Sequence, residues 1–475
     1  MKRQTAFYLI TDSHLVSPDI WVEGKPITNR ERGDQIALKA TPQILDAYIE
    51  KILADAETDT VVFTGDNVNN GDRASHLDFR ARLERLTAAG KRVYVISATH
   101  DYCGAGEDEN GFSACRYTET GTEPIDFLRK SDLFDFYYDY GPRQAIDVHR
   151  DSRSYVVQLC GGVRLVMIDD NGNGRSHCGL FEDGTRWLEN ARRDAQNAGD
   201  YVLLATHHPV LPPWEVFRHM AEHELYGGYR ELIALMLAYN VRVVFTGHTH
   251  VQSIRRYADD AGRWMLDVST IALANAAGKM RRVTLDAESG ICDIQSVGID
   301  ALSDGRPVYK TLHPLNFPGI IEDLLPLGAS DFDAFLKLGD GLLPTDKLRA
   351  HPHLIGFACR KAQKLRLSTA AKLGHVWRGM EPAQRRYARE TALTDVVFGI
   401  LRHIYPGNAP YAPQTVEYIA LTGVAARLDR IVRRLHIKKA QDMIPPGSSL
   451  VEMLQDFLYN NRTGDDDAIR FSLRD

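Results

Sequence analysis

Five short apolar runs in this chain each end in a carboxylate or an imidazole. Phe7-Tyr8-Leu9-Ile10 is followed by Asp12 and His14, Val61-Val62-Phe63 by Gly65-Asp66, and Val93-Tyr94-Val95-Ile96 by His100 and Asp101. Tyr201-Val202-Leu203-Leu204 leads to His207, and the run from Val241 to Phe245 leads to His248 and His250. Residues two apart on an extended chain share a face. Asp12-Ser13-His14 and His248-Thr249-His250 can therefore each grip one cation from two directions. Carboxylate plus imidazole, with no thiolate, suits Mn²⁺, Fe²⁺ or Zn²⁺ better than Ca²⁺ or a structural cysteine–zinc site. Asp66, with two oxygens on the central loop, could bridge two cations. Two ions roughly 3.5–4 Å apart would clamp the oxygens of an ester and lower the pKa of a bound water. The attacking group would be a metal-activated hydroxide. The ions would also withdraw charge from a pentavalent transition state, where the electrostatic contribution is largest.

Each block alone has an ordinary reading. Asp-x-His at a strand end forms turns, Gly65-Asp66 is a common strand–turn junction, and His207-His208 before Pro209 could be a plain turn. Those readings require independent coincidences at five strand ends, so the metal reading is preferred.

The elements that must position these residues follow from pattern. The apolar runs read as strands, with Asp66 at the carboxyl end of one, where open α/β sheets present their ligands. Ser17 to Gly33 is polar and reads as a loop over the sheet ends. Asp34 to Ala54 has helical spacing, with Pro42 expected to kink or split it. A helix from about Ala74 stops near Gly90. Tyr102 to Arg153 is too long for an ordinary βα connection and is expected to shape access to the site. Tyr155–Leu159 and Val163–Ile168 read as a hairpin, Asp183–Ala198 and Tyr229–Tyr239 as helices, and Trp264–Val268, Arg281–Leu285 and Cys292–Val297 as further strands. Strands alternating with helices, then more strands, indicate a layered α/β core with a mixed sheet or two packed sheets. Gly305, Pro307, Pro314 and Pro318 place a linker at 301–318, between a domain at 1–300 and a mostly helical one at 319–475 whose polar tail is expected to fray.

A chain of 475 residues carrying a formal charge of −6 is expected to form two domains and not to be a general nucleic-acid binder. The charge is uneven: residues 346–445 hold 18 Lys/Arg against 7 Asp/Glu. Six scattered cysteines without C-x-x-C read as reduced thiols. The apolar run after Met1-Lys2-Arg3 is too short for a secretory signal, and no membrane span is evident, so a cytoplasmic protein is the expectation.

Taken in order, Asp12-Ser13-His14, Gly65-Asp66 through Gly71, His100-Asp101, His207 and Gly247-His248-Thr249-His250 resemble the motif series of the calcineurin-like metallophosphoesterases over residues 5–300. The resemblance implies a two-sheet β-sandwich flanked by helices, and two divalent ions. Asp12, His14 and His250 would hold the first ion, Asp66 would bridge, and His207 and His248 would hold the second. His100 would contact the phosphate or protonate the leaving oxygen, with Asp101 orienting it. The departure is Thr99, where the family has an asparagine ligand to the second ion, and Ala98 also replaces a glycine. A hydroxyl is a shorter and weaker donor than an amide oxygen. The second site is therefore expected to be weak, water-filled, or completed by Asn67.

The Gly-Asp-x-x-x-Asn-Gly form, with Ser75-His76 after it, resembles the cyclic-nucleotide phosphodiesterase branch and bacterial relatives with a helical C-terminal domain. That implies a phosphodiesterase acting on a nucleotide-like small molecule. A phosphomonoesterase, or a non-catalytic phosphate-binding scaffold with an impaired second site, are the alternatives. Leu428, Ile431, Val432 and Leu435 fall at helical spacing among arginines. Arg430 and Arg434 there read as a solvated face, a phosphate clamp or a subunit contact.

Overall fold

The structure is a computed structural model, and it describes residues 3–104, 112–171, 178–215, 217, 221–276, 278–340, 342–435, 444, 448–459 and 464–474. Part of the long segment after Tyr102, residues 105–111, lies outside the described residues.

The strands in chain order are β1 Gln4–Ile10, β2 Thr60–Thr64, β3 Arg92–Ile96, β4 Cys115–Tyr117, β5 Thr122–Pro124, β6 Asp147–His149, β7 Ser154–Cys160 and β8 Val163–Met167. They continue as β9 Tyr201–Ala205, β10 Val243–Thr246, β11 Ser253–Ala258, β12 Trp264–Ser269, β13 Met280–Asp286, β14 Ile291–Val297 and β15 Ala468–Ser472. One sheet has the order β15-β14-β13-β1-β2-β3, and a second has β11-β12-β10-β9-β8-β7-β6. β1, β2 and β3 are parallel, as are β8, β9, β10 and β12.

The alternation of side chains along β1 explains the layering. Phe7 and Leu9 join Val62, Tyr94, Val157, Leu165, Leu203, Phe245 and Leu266 in the core between the sheets. Tyr8 and Ile10 point the other way, into a core shared with Ile44, Leu45, Tyr48, Phe79 and Leu83. Helices Thr41–Ala54 and Arg73–Ala88 supply those residues. Helices Glu182–Ala198 and Tyr229–Ala238 cover the second sheet through Leu188, Ala191, Leu232 and Met236. Each fully buried Leu or Phe contributes roughly 1.5–3 kcal/mol. The two-sheet sandwich flanked by helices is thus the architecture expected from sequence.

Four local expectations are corrected. Lys25–Asp34 within the expected loop is a helix, with Pro26 in its first turn and Ile27 buried beneath it. Pro42 starts its helix, where a missing N–H costs nothing, and does not kink it. The expected linker packs down: Val308 and Leu312 enter the same core as Ile44 and Tyr48. The tail expected to fray carries β15, paired antiparallel with β14 and bringing Leu473 into the core between the sheets.

Between those points the C-terminal region is helical. Helix Val416–Arg434 packs against Leu367–Leu373 and Leu450–Leu458. Leu367, Ala371, Met380, Val396 and Ala420 form a small core of their own. Among the described residues no helix is long and apolar enough to cross a membrane. The six cysteines are free, as expected.

Candidate metal centre

Both sheets present the carboxyl ends of their parallel strands at one place. Asp12 and His14 follow β1, Asp66 follows β2, His100 follows β3, His207 follows β9, and His248 and His250 follow β10. Side chains from five loops so converge, although they are spread from residue 12 to residue 250.

Local backbone makes the convergence possible. Asp12, His14, Asp66, His248 and His250 all lie in the left-handed region, with φ of 51°, 43°, 50°, 67° and 56°. For residues other than glycine this costs of order 1 kcal/mol or more each, and such residues concentrate at functional sites. The loops compensate by hydrogen bonding to one another. Asp12 N donates to Gly65 O at 3.1 Å and His14 N to Asp66 O at 3.0 Å. His248 N donates to Asp12 Oδ2 at 3.0 Å, and His100 N to Asp66 Oδ1 at 2.9 Å. Gly247 allows the close approach: a Cβ there would collide with Thr11 Oγ1 and Asp12 Oδ2.

Three overlapping groups could each hold a cation: Asp12, His14 and His250; His14, Asp66 and His100; and Asp66, His207 and His248. In each, one ligand atom per residue lies within 4.8 Å of the others. His250 Nε2 is 3.3 Å from Asp12 Oδ1, and His207 Nε2 is 3.1 Å from Asp66 Oδ2. Asp12 Oδ1 and His207 Nε2 are buried atoms without a hydrogen-bond partner. Buried polar atoms are nearly always satisfied, so these two, aimed into a cluster of O and N donors, fit a divalent cation.

Electrostatics point the same way. Burial opposes ionisation of Asp12 and Asp66, yet the charge of His207, with help from the other imidazoles, holds both carboxyls well below the usual carboxylate range. Burial likewise disfavours a charged His207, but Asp66 and Asp12 overcome it and raise that imidazole to about 9. A cluster that gathers protons between its carboxylates in this way is one a divalent cation would neutralise instead.

Supporting contacts aim the ligands. His207 Nδ1 meets Thr64 O at 2.9 Å, which turns Nε2 toward Asp66. His14 Nδ1 meets Asn69 Oδ1 at 3.2 Å. The carbonyl of the same Asn69 accepts from His100 Nδ1 at 2.7 Å. Such partners fix the tautomer and orientation of metal-binding imidazoles. Asn69, and Glu224 beside His248 (Oε2 to Nε2, 2.6 Å), were not singled out from sequence. Neither sits at a strand end, so the signal that found the others does not reach them.

Asp101 braces the turn that carries His100. Its carboxyl group is fully buried and accepts from Ala98 N at 2.8 Å, Val68 N at 2.9 Å and Asn67 Nδ2 at 3.1 Å. It ties the turn after β3 to the loop after β2, and burial together with the Asp66 charge pushes its pKa up. Asn67 Nδ2 is engaged there too, also donating to Ile96 O at 3.0 Å. Thr99 is buried in the same turn. Arg430 and Arg434 are exposed on helix Val416–Arg434, and Arg430 Nε bonds Ala426 O one turn back. Among the described residues nothing joins either guanidinium to the metal-site side chains.

The C-terminal region does touch the site's foundation. Tyr405 O accepts from Gln252 N at 2.7 Å, two residues beyond His250, and Phe457 packs against Trp214 with ring centroids 5.2 Å apart.

A helix-flanked sandwich with Asp and His converging at its strand ends defines a metal-dependent hydrolase of phosphoric esters. The family model for calcineurin-like phosphoesterases matches residues 6–252, and the chain belongs to that family. No curated protein matches the sequence. Among solved structures it is similar to a dimetal phosphatase from Danio rerio, at 14% identity over 62% of this chain and 96% of that one, with a TM-score of 0.45. It is also similar to the purple acid phosphatase PPD1 from yellow lupin seeds, at 12% identity over 65% of this chain and 53% of that one, with a TM-score of 0.38.

Proposed function

We propose that the chain is a phosphodiesterase acting on a small, nucleotide-like phosphoester. Asp12, His14 and His250 would hold a first Mn, Fe or Zn ion, Asp66 would bridge, and His207 and His248 would hold a second. When bound, such ions supply Lewis-acid polarisation of the phosphoryl oxygens and a water of lowered pKa. The remaining work belongs to the protein. His100 is the proposed proton donor to the leaving oxygen. Asp101, by bracing the turn that carries His100, acts through the backbone.

The observation that carries this reading is the placement of His100. Its ring lies 4.6 Å from that of His14 and 4.0 Å from that of Phe112, between centroids, and its Nε2 stands 4.0 Å from Asp66 Oδ2. Nδ1 meets Asn69 O, and Nε2 is the nitrogen proposed to serve the ester. Phe112 also lines a cavity of about 680 Å³ with Cys103, Ala114, Ile125, Phe127 and Arg129. Phe112, shared by that space and the His100 ring, supports an ester with an organic group on its leaving side, and hence a diester over a bare monoester. Thr99 supports a weaker second ion.

Hydrolysis of bis-p-nitrophenyl phosphate and p-nitrophenyl phosphate, with added Mn²⁺ and with chelator, tests the proposal. Chelator-sensitive turnover with preference for the diester is expected. Preference for the monoester, or turnover indifferent to chelator, would overturn it.

A further inference from the structure

The group Asp66, His207 and His248 can hold a cation only if each donor is kept in place. His207 is secured by Thr64 O. His248 has a backbone in the left-handed region and needs its own support. It is gripped in two ways. The His208 ring lies against it, with centroids 4.1 Å apart, and His208 is fixed through Nδ1 to Asp170 Oδ1 at 3.1 Å. At its edge, Nε2 meets Glu224 Oε2 at 2.6 Å.

Glu224 is itself well placed for this. It ends the short turn Glu222–Glu224, and the next two residues, Leu225 and Tyr226, are buried in the core under the second sheet. Tyr226 N donates to Pro209 O at 2.8 Å, and Tyr229 OH to Glu222 Oε1 at 2.9 Å. The turn is thereby tied to the His207-His208-Pro209 loop, one of the loops that builds the centre.

An ionised carboxylate can only accept, so the 2.6 Å contact places the ring proton on His248 Nε2 and leaves the lone pair on Nδ1. We infer that Glu224 is a positioning residue for the second cation: it selects the Nε2–H tautomer of His248 and holds the ring with Nδ1 available beside Asp66 and His207. The inference rests on the two-ion reading above.

The test uses the full chain with Mn²⁺ as the probe, comparing Glu224→Ala and Glu224→Gln with the unaltered protein. Calorimetric titration of metal-free protein should show the second ion bound about 10–100-fold more weakly in Glu224→Ala, with the first ion unchanged. Glu224→Gln, whose amide oxygen still accepts from Nε2–H, should fall between. Nitrogen NMR of the His248 ring in the metal-free proteins should show the Nε2–H form in the unaltered chain and a mixture in Glu224→Ala. Unchanged affinity for both ions, an equal loss at both, or an unaltered tautomer would each overturn the inference. If the unaltered protein takes up one ion only, the two-ion reading fails, and the ring tautomers separately decide whether Glu224 governs His248.

Discussion

The Nε2 atoms of His14 and His250, 236 residues apart in the chain, stand 3.0 Å from each other. Two imidazole lone pairs cannot share that space unpaired. A proton or a cation must lie between them, and Asp12 Oδ1, 3.7 Å from one and 3.3 Å from the other, completes a three-donor set. The sites of this chain are therefore built around a positive charge, and most consequences can be measured.

The first concerns Asn69, whose side chain steadies His14 while its backbone carbonyl steadies His100. Asn69→Ala spares the carbonyl and deletes the side-chain contacts, that to His14 and a 3.4 Å donation to Asp34 Oδ2. It should weaken the first ion by about 10–100-fold while leaving kcat at saturating Mn²⁺ near that of the unaltered protein. Titration by calorimetry beside steady-state kinetics separates the two, and an unchanged affinity would contradict the assignment.

Gly247 tests how tightly the loops interlock. The Cβ of Gly247→Ala would push on Thr11 Oγ1 and Asp12 Oδ2. Overpacking of this kind costs about 1–3 kcal/mol, and here it would also displace Asp12. The expected result is a lowered melting temperature together with reduced metal content by elemental analysis. Full metal content at full activity would show that the loop yields without disturbing Asp12.

His76 supplies a pH dependence. It is fully buried, with Nδ1 on Tyr137 OH at 2.6 Å and Nε2 on Asp101 O at 2.8 Å. Burial pushes its pKa down from 6.5 to about 4. Between those values the unfolded chain binds the proton that the folded chain refuses. The stabilisation is complete above pH 6.5 and is lost as pH falls through 4. Relative to His76→Gln, the unaltered protein should lose of order 3 kcal/mol across that window. Urea unfolding at several pH values checks this; a difference that stays flat with pH would contradict it.

Leu473 tests the return of the C-terminus to the first sheet. It is 2% exposed in the core between the sheets. Leu473→Ala should cost about 2–5 kcal/mol, read from chemical denaturation. A change below about 0.5 kcal/mol would mean that β15 contributes no packing.

What could be read from the sequence follows from the range of each physical signal. The candidate metal-site residues were legible because each follows a buried strand, and apolar alternation along β1 or β2 is a local pattern. The helix Lys25–Asp34 was not, since Ile27 is its one buried apolar residue and a single position gives no period. β15 was hidden because its partner β14 lies about 170 residues earlier, beyond any local pattern. Asn69 and Glu224 were hidden for a related reason: they act on ligands from loops that only the fold brings near. The left-handed backbone at Asp12, His14, Asp66, His248 and His250 runs against what those residue types prefer, so propensity could not reveal it.

The central claim is that residues from both sheets hold two divalent cations side by side. Crystals soaked in Mn²⁺, with anomalous difference maps, test it most directly. One peak is expected among Asp12, His14, His250 and Asp66, and a second, at lower occupancy, among Asp66, His207 and His248. A fully loaded protein with no peak between these side chains, or with manganese bound elsewhere in the chain, would contradict it.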